Sequence, residues 1–213
     1  MLDSFRLAFF KFAAGGGIPA KWFEPDLIPE SDRHAKTGRL KLEIVSHCWN
    51  YSHFLAYQLS SLVEFAPASM DVTMTVFYCP EDEKTNQLLS FFGQQDVANI
   101  TWKWCPLPRQ KLFRRGIGRN IAALQTTADW VWFTDCDLMF RDDCLDTLSD
   151  LLQDKRDALF FPEEERTTDL LAEDNPMLRA GYGEPQILSV DTSNFTARKM
   201  SRATGPLQIA HGD

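Results

Sequence analysis

At 213 residues, with 44% apolar and 24% charged side chains, the chain has the composition of a globular domain with a real core, which excludes collagen, coiled coil and bulk disorder. Twenty-two Lys and Arg against 30 Asp and Glu leave a net charge of −8. That argues against a dominant nucleic-acid or anionic-membrane surface but allows a local basic patch. No apolar run approaches the roughly 20 residues that a membrane-spanning helix needs. Leu2 to Ala14 is apolar but broken by Asp3, Arg6 and Lys11, so it lacks the clean centre of a signal peptide. It reads as a short amphipathic segment that packs on the domain or lies on a membrane surface. Gly15-Gly16-Gly17, Pro19, Pro25 and Pro29 then punctuate an arm without regular periodicity.

Regular patterning starts at Leu40. Leu42 to Ser46 reads as a strand with a mixed inner face, and Tyr51 to Phe65 as an amphipathic helix. Val72 to Tyr78 is β-branched and aromatic enough for a second strand, closed by Pro80, and Glu81 to Phe92 offers a second helix. A strand at Asn99 to Trp104, a helix at Ile117 to Thr127 and a strand at Trp130 to Thr134 follow. After Phe140 come a helix near Leu145 to Leu152 and a short strand at Ala158 to Phe161. Strands alternating with helices imply βαβ units, a mostly parallel sheet and helices on both of its faces. Pro162 to Pro185 is a polar stretch, long for a connection, and is expected to be functional or mobile. Ile187 to Val190 and Leu207 to Ala210 read as late strands. The resulting division is an arm over residues 1–40 and a single α/β domain over 41–213, with the possibility that it is truncated at its C-terminus.

In open α/β sheets, ligands bind beyond the carboxyl ends of the strands. Asp135-Cys136-Asp137 stands there, directly after the apolar fourth strand. In an extended backbone, positions i and i+2 point the same way, so both carboxylates can face one site. Two hard oxygen ligands suit Mg²⁺ or Mn²⁺ shared with a substrate's phosphates. The plainer alternative makes one Asp a helix cap and the other a solvated surface group. Arg114, Arg115 and Arg119, around Gly116 and Gly118 at a helix start, supply the chemistry a diphosphate needs, although a solvated basic turn has the same composition. His47 and His53 have no metal-ligand spacing and read as structural. The five cysteines are an odd number without a C-x-x-C pair, which fits a reducing cytoplasm rather than a disulfide framework or zinc site.

Taken together, Arg119-Asn120-Ile121-Ala122, a short helix, and Ala128-Asp129-Trp130-Val131-Trp132-Phe133-Thr134-Asp135-Cys136-Asp137 resemble the family-2-like glycosyltransferases of the GT-A fold. His47-Cys48-Trp49-Asn50 stands where that family often has Pro-Thr-Tyr-Asn, at its nucleotide-binding turn. The resemblance spans roughly residues 41 to 160. It implies a Rossmann-like, mostly parallel sheet flanked by helices, and sugar transfer from a nucleotide-diphosphate donor to an acceptor hydroxyl with Mn²⁺ or Mg²⁺. Asp137 resembles the family's main metal ligand, and Asp135 the aspartate that contacts the donor ribose and helps position the metal. Arg119, with Arg115 beside it, looks like the arginine near the diphosphate, and Trp49 like the stacking Tyr; Cys48 replaces a Thr. Where the family often has an Asp pair contacting uracil, this chain has Cys79-Pro80-Glu81-Asp82, which makes Glu81 the counterpart and leaves the base open.

The implied partners are a nucleotide-sugar donor, UDP-sugar first, and a saccharide or glycolipid acceptor, with no nucleic acid and no membrane span. A cytoplasmic location fits, with peripheral work near the membrane face. An inverting reaction also needs a carboxylate base, for which Glu163, Glu164, Glu165, Asp191 and Asp213 are the available residues. The alternatives are a non-catalytic or truncated nucleotide-binding or interaction domain, a haloacid-dehalogenase-type phosphatase, and a nucleotidyltransferase. The phosphatase usually opens on its D-x-D, which here follows three strands and helices. The nucleotidyltransferase wants a Gly-rich basic loop where this chain has Cys48-Trp49-Asn50-Tyr51.

Overall fold

The computed structural model describes residues 2–12, 18–19, 22, 25–26, 28–193 and 195–213. Gly15-Gly16-Gly17, read above as part of the arm, lies outside the described residues. The chain forms two compact units, Met1–His34 with Asp213, and Ala35–Gly212. The first holds helix α1 (Leu2–Phe12) and a 3₁₀ turn at Glu30–Asp32. In this unit the Asp213 carboxylate accepts from the His34 amide at 2.8 Å and lies 3.1 Å from His34 Nδ1.

The second unit is built on a six-stranded sheet. Its parallel part comprises β1 (Leu40–Cys48), β2 (Met70–Tyr78), β3 (Ile100–Pro106) and β4 (Trp130–Phe133). The short β5 (Leu159–Phe160) and β8 (Gln208–His211) complete it in the order β3-β2-β1-β4-β8-β5. Only β8 runs antiparallel to its neighbours. This is the mostly parallel, Rossmann-like sheet that the sequence implies. β1 is central and buried at almost every position, as expected where helices cover both faces. Its mixed pattern comes from Glu43, which is 3% exposed. Glu43 Oε1 accepts from Thr75 Oγ1 at 2.6 Å and from Lys103 Nζ at 3.1 Å, so the buried charge is paired across three strands.

Alternation along the strands divides the core between the two faces. Ile44, Met74 and Trp132 pack under α2 (Ser52–Glu64), α3 (Glu83–Phe92) and α6 (Cys144–Leu152). Val45, Phe77 and Val131 pack under α4 (Arg109–Leu112) and α5 (Arg115–Gln125). The strand order reverses between β1 and β4, and the crevice beyond their carboxyl ends is where such sheets bind ligands.

The described part of residues 162–206 holds regular elements that the sequence does not suggest. β6 (Glu164–Thr167) and β7 (Thr196–Lys199) form a separate antiparallel pair, and α7 (Pro176–Gly181) starts at an Asn175 cap that accepts from the Met177 amide at 2.9 Å. Ile187 to Val190, expected as a strand, is not one. It runs along α2, with the Leu188 amide donating to Ser60 Oγ at 2.9 Å and Ser189 Oγ to Glu64 Oε1 at 3.0 Å. Helix side chains take the bonds a neighbouring strand would have made.

Candidate functional site

The turns after β1, β2 and β4 meet the start of α5 at the crevice. Asp135 follows β4 and is half-buried. Its Oδ1 accepts a charge-assisted bond from Arg115 Nη1 and lies 3.7 Å from Arg119 Nη2. Arg119 also donates to the Gly205 carbonyl at 3.0 Å and lays its guanidinium over Phe133 at 5.8 Å. Its Nε is buried without a protein acceptor. Arg115 and Arg119 are one helical turn apart at the start of α5, so both reach the same carboxylate. The helix begins at Arg115, two residues before the periodicity suggests, despite Gly116 and Gly118.

Asp137 is exposed and makes no ion pair within 4.0 Å among the described residues. Partial burial of its carboxyl, and then the charge of Asp135, raise its pKa, while its own backbone and Arg115 oppose this. Among the described residues no group of three or more His, Cys, Asp or Glu side chains converges on a metal position. One free carboxylate beside a second, engaged one fits a Mg²⁺- or Mn²⁺-type ion whose other ligands are phosphate oxygens and water, and does not fit an all-protein cage.

His47, at the end of β1, is half-buried, stacked on Phe77 at 5.1 Å, and has both ring nitrogens buried without a protein partner. Burial first, then Arg119 and Arg115, lower its pKa to about 4, against the opposing charge of Asp135, so the ring is neutral at pH 7. Gly118 is what admits it: a Cβ there would collide with His47 Nε2 and sit 3.1 Å from Phe77 Cδ2. Cys48 points into the core, where it lies beside the Cys136 thiol and 3.3 Å from Thr85 Oγ1, so it offers a ligand main chain only. The neighbouring Cys48, and then burial, push the Cys136 thiol far up. Trp49 is half-buried against the second cluster, with the Arg109 guanidinium over its ring at 5.0 Å and Phe113 edge-on at 6.0 Å.

Asn50 has a φ of 55°, the left-handed region that Asn tolerates better than most residues. Its amide donates to Asp82 Oδ2 at 2.7 Å. Asp82 also caps α3, accepting from the Thr85 amide at 3.2 Å and from Thr85 Oγ1 at 2.6 Å. That carboxylate is spent on structure, joining the turns after β1 and β2. Glu81 is exposed instead, and lines an open depression with Asn50, Lys84 and Tyr182.

Two sets of residues were not singled out by the sequence. Gln58 of α2, fully buried, donates from Nε2 to the Asp135 carbonyl at 2.9 Å, and Ser61 Oγ accepts from the Phe140 amide at 3.0 Å. Together they clamp both ends of the turn that carries Asp137. Tyr182 stacks on His53 at 4.0 Å, and Tyr57 Oη donates to the Met177 carbonyl at 2.6 Å, which holds α7 on α2. A polar side chain set among the apolar positions Leu55, Ala56, Leu59 and Leu62 was the available signal for Gln58. Tyr182 carried none.

The family model described as "Glycosyl transferase family 2" matches residues 84–197, more than half of the chain. No curated protein matches the sequence significantly. Among solved structures, residues 1–349 of S. aureus TarS are similar at 16% identity and a TM-score of 0.49, over 81% of this chain and 47% of that one. TarS with UDP gives 17%, 0.44, 53% and 32%; TarS with UDP-GlcNAc gives 17%, 0.41, 53% and 31%. This chain therefore spans less than half the length of those structures.

Proposed function

This chain belongs to glycosyl transferase family 2, and we propose that it transfers a sugar from a nucleotide-diphosphate donor, UDP-sugar first, to a hydroxyl of a saccharide or glycolipid acceptor. The observation that carries the reading is the meeting of Arg115, Arg119, Asp135 and the free Asp137 at the β1/β4 reversal. Two guanidiniums held by one carboxylate are pre-positioned for a diphosphate, to which they can bond through parallel N–H groups. As they turn to it, Asp135 is freed to accept from a ribose hydroxyl. Asp137 would hold Mn²⁺ or Mg²⁺, which when bound supplies Lewis-acid stabilisation of the departing diphosphate. Asn50, Glu81 and Tyr182 surround the depression beside the turn after β1, where the nucleoside fits.

Bond formation between the acceptor oxygen and the anomeric carbon needs a base for the hydroxyl proton. Glu163 is the carboxylate we assign. It follows β5, which runs in the direction of β4, so it emerges on the Asp135 side of the sheet. Among the described residues it has no ion pair, whereas Glu164 pairs with Arg166 and Glu165 with Arg198. Asp191 is held by Ser193, which lowers its pKa and weakens it as a base. The free cysteines support a cytoplasmic location. Among the described residues no helix is long and apolar enough to cross a membrane.

The test is a thermal-shift screen of UDP, GDP, CMP and TDP with and without Mn²⁺. A Mn²⁺-dependent rise with one nucleotide, lost in Asp137→Ala, is expected; a ligand at a hundredfold excess over its Kd adds about 2.7 kcal/mol to stability. A shift that survives Asp137→Ala removes the metal role, and no shift with any nucleotide removes the donor reading.

A further inference from the structure

Residues 97–128 carry six basic side chains and no acidic one, in a chain whose net charge is −8. Five of the six belong to α4, α5 and the turn joining them. Arg115 and Arg119 are engaged by Asp135, and Arg109 lies over Trp49 and Phe113. Lys111 and Arg114 are exposed and make no ion pair among the described residues. Between them Phe113 stands 60% exposed. The next residue, Arg115, already contacts the candidate site.

We propose that this surface, with Lys111, Phe113 and Arg114 at its centre, docks the protein on an anionic lipid bilayer. The proposal rests on the transferase reading in one respect: docking there brings an acceptor at the membrane face to the crevice. Charge complementarity selects the occupant. Basic side chains in an otherwise acidic molecule orient it toward a negative surface, each strengthening binding to acidic headgroups about fivefold. The exposed Phe separates a bilayer from a soluble polyanion, because an aromatic ring gains by entering the headgroup and acyl boundary and gains nothing against phosphates in water. Neutralising the two free cations does not remove a helix cap, since Arg114 precedes α5 without a side-chain capping bond.

The experiment is flotation of the full chain with phosphatidylcholine vesicles, with and without phosphatidylglycerol. Binding is expected only when phosphatidylglycerol is present and is expected to weaken with salt. The pair Lys111→Gln and Arg114→Gln should lower the partition coefficient on the order of twentyfold, and Phe113→Ser should lower it with the charges intact. A second surface controls the result: α1 exposes Phe5, Phe12 and Arg6. Loss of binding in Phe5→Ser with Phe12→Ser, while the α4 variants bind normally, overturns the proposal. So does equal binding to neutral vesicles, or displacement by inorganic polyphosphate combined with indifference to Phe113→Ser. The UDP and Mn²⁺ thermal shift is read in parallel on every variant. An unchanged melting transition without ligand shows the variants folded. Its absence from the unsubstituted chain counts against the transferase reading and leaves the lipid result standing.

Discussion

Gly118→Ala measures how tightly α5 is seated on the sheet. At a solvated interior helix position this substitution stabilises by about 1 kcal/mol, because Ala is the better helix former. Here the added Cβ would fall on His47 Nε2 and lie 3.1 Å from both His47 Cε1 and Phe77 Cδ2. The His47 ring cannot retreat toward Phe77, on which it is stacked and which is 2% exposed. Overpacking of this kind costs about 1–3 kcal/mol, which cancels the propensity gain at its low end and outweighs it above that. For a chain of this size each kcal/mol moves Tm by about 2–4 °C, so a net loss of up to about 2 kcal/mol predicts a fall of up to roughly 8 °C. Arg119 is the next residue and Arg115 one turn earlier, so displacing the helix also weakens diphosphate binding. Differential scanning calorimetry of Gly118→Ala, His47→Ala and the double variant checks the origin of the loss. Removing the imidazole should make Gly118→Ala harmless, which appears as a coupling energy in the cycle. A Gly118→Ala protein more stable than the parent, or additive losses, would refute the contact.

Three further outcomes are expected. His47 has a folded-state pKa near 4, below the ordinary 6.5, so between these values the unfolded chain binds more protons and stability rises with pH. This contribution is complete above pH 6.5 and is lost as pH falls toward 4; urea titrations should show that slope flattened in His47→Phe, and an unchanged slope assigns it elsewhere. Gln58→Leu removes the bond to the Asp135 carbonyl along with a buried, unpartnered Oε1, so it should cost only about 1 kcal/mol of stability while weakening Mn²⁺-dependent nucleotide binding. Gln58→Glu, which sets a carboxylate against that carbonyl, should be worse in both chemical denaturation and calorimetric titration; equal behaviour of the two variants would exclude a positioning role. Glu163→Gln should leave nucleotide binding intact and depress turnover by a hundredfold or more, in the range for loss of a general base. Turnover within a few-fold of the parent would return Glu163 to the surface.

What the sequence revealed follows from which interactions are local. The parallel strands and the helices between them were legible because their patterns are set by burial on one sheet. The D-x-D and the arginine-bearing helix start were legible because each is a contiguous segment at a strand or helix end. α5 was expected two residues late, because Gly116 and Gly118 lower helix propensity, while packing on Val45 and Phe77 sets the helix regardless. Ile187 to Val190 is apolar and β-branched enough for a strand, but the bonds of the Leu188 amide and Ser189 are taken by α2, 125 or more residues away in sequence. Cys48 turns inward to Thr85 of α3, a contact that spacing does not encode. α3 was expected from Glu81, yet Asp82 caps it from outside and its carboxylate also fixes Asn50, a link between two turns that spacing does not encode.

α2 shows how a non-local site leaves a trace in local sequence. Ten of its thirteen residues are buried, including Gln58, Ser60 and Ser61, which an apolar helix face should not contain. Burying a polar group costs free energy unless it finds a partner, so each such residue in a buried face implies something docked on it. Here the partners are main-chain groups of two segments: Gln58 and Ser61 hold residues 135–140, and Ser60 holds Leu188. Tyr57 adds the Met177 carbonyl from α7. The D-x-D turn and the 176–190 segment are thus suspended from four residues of one helix, 57, 58, 60 and 61. A change that rotates α2 moves both, which ties the geometry of Asp137 to that of the segment bearing Tyr182. In a helix that covers a parallel sheet, polar residues that violate the apolar stripe mark the loops the site depends on, even when nothing in those loops announces it.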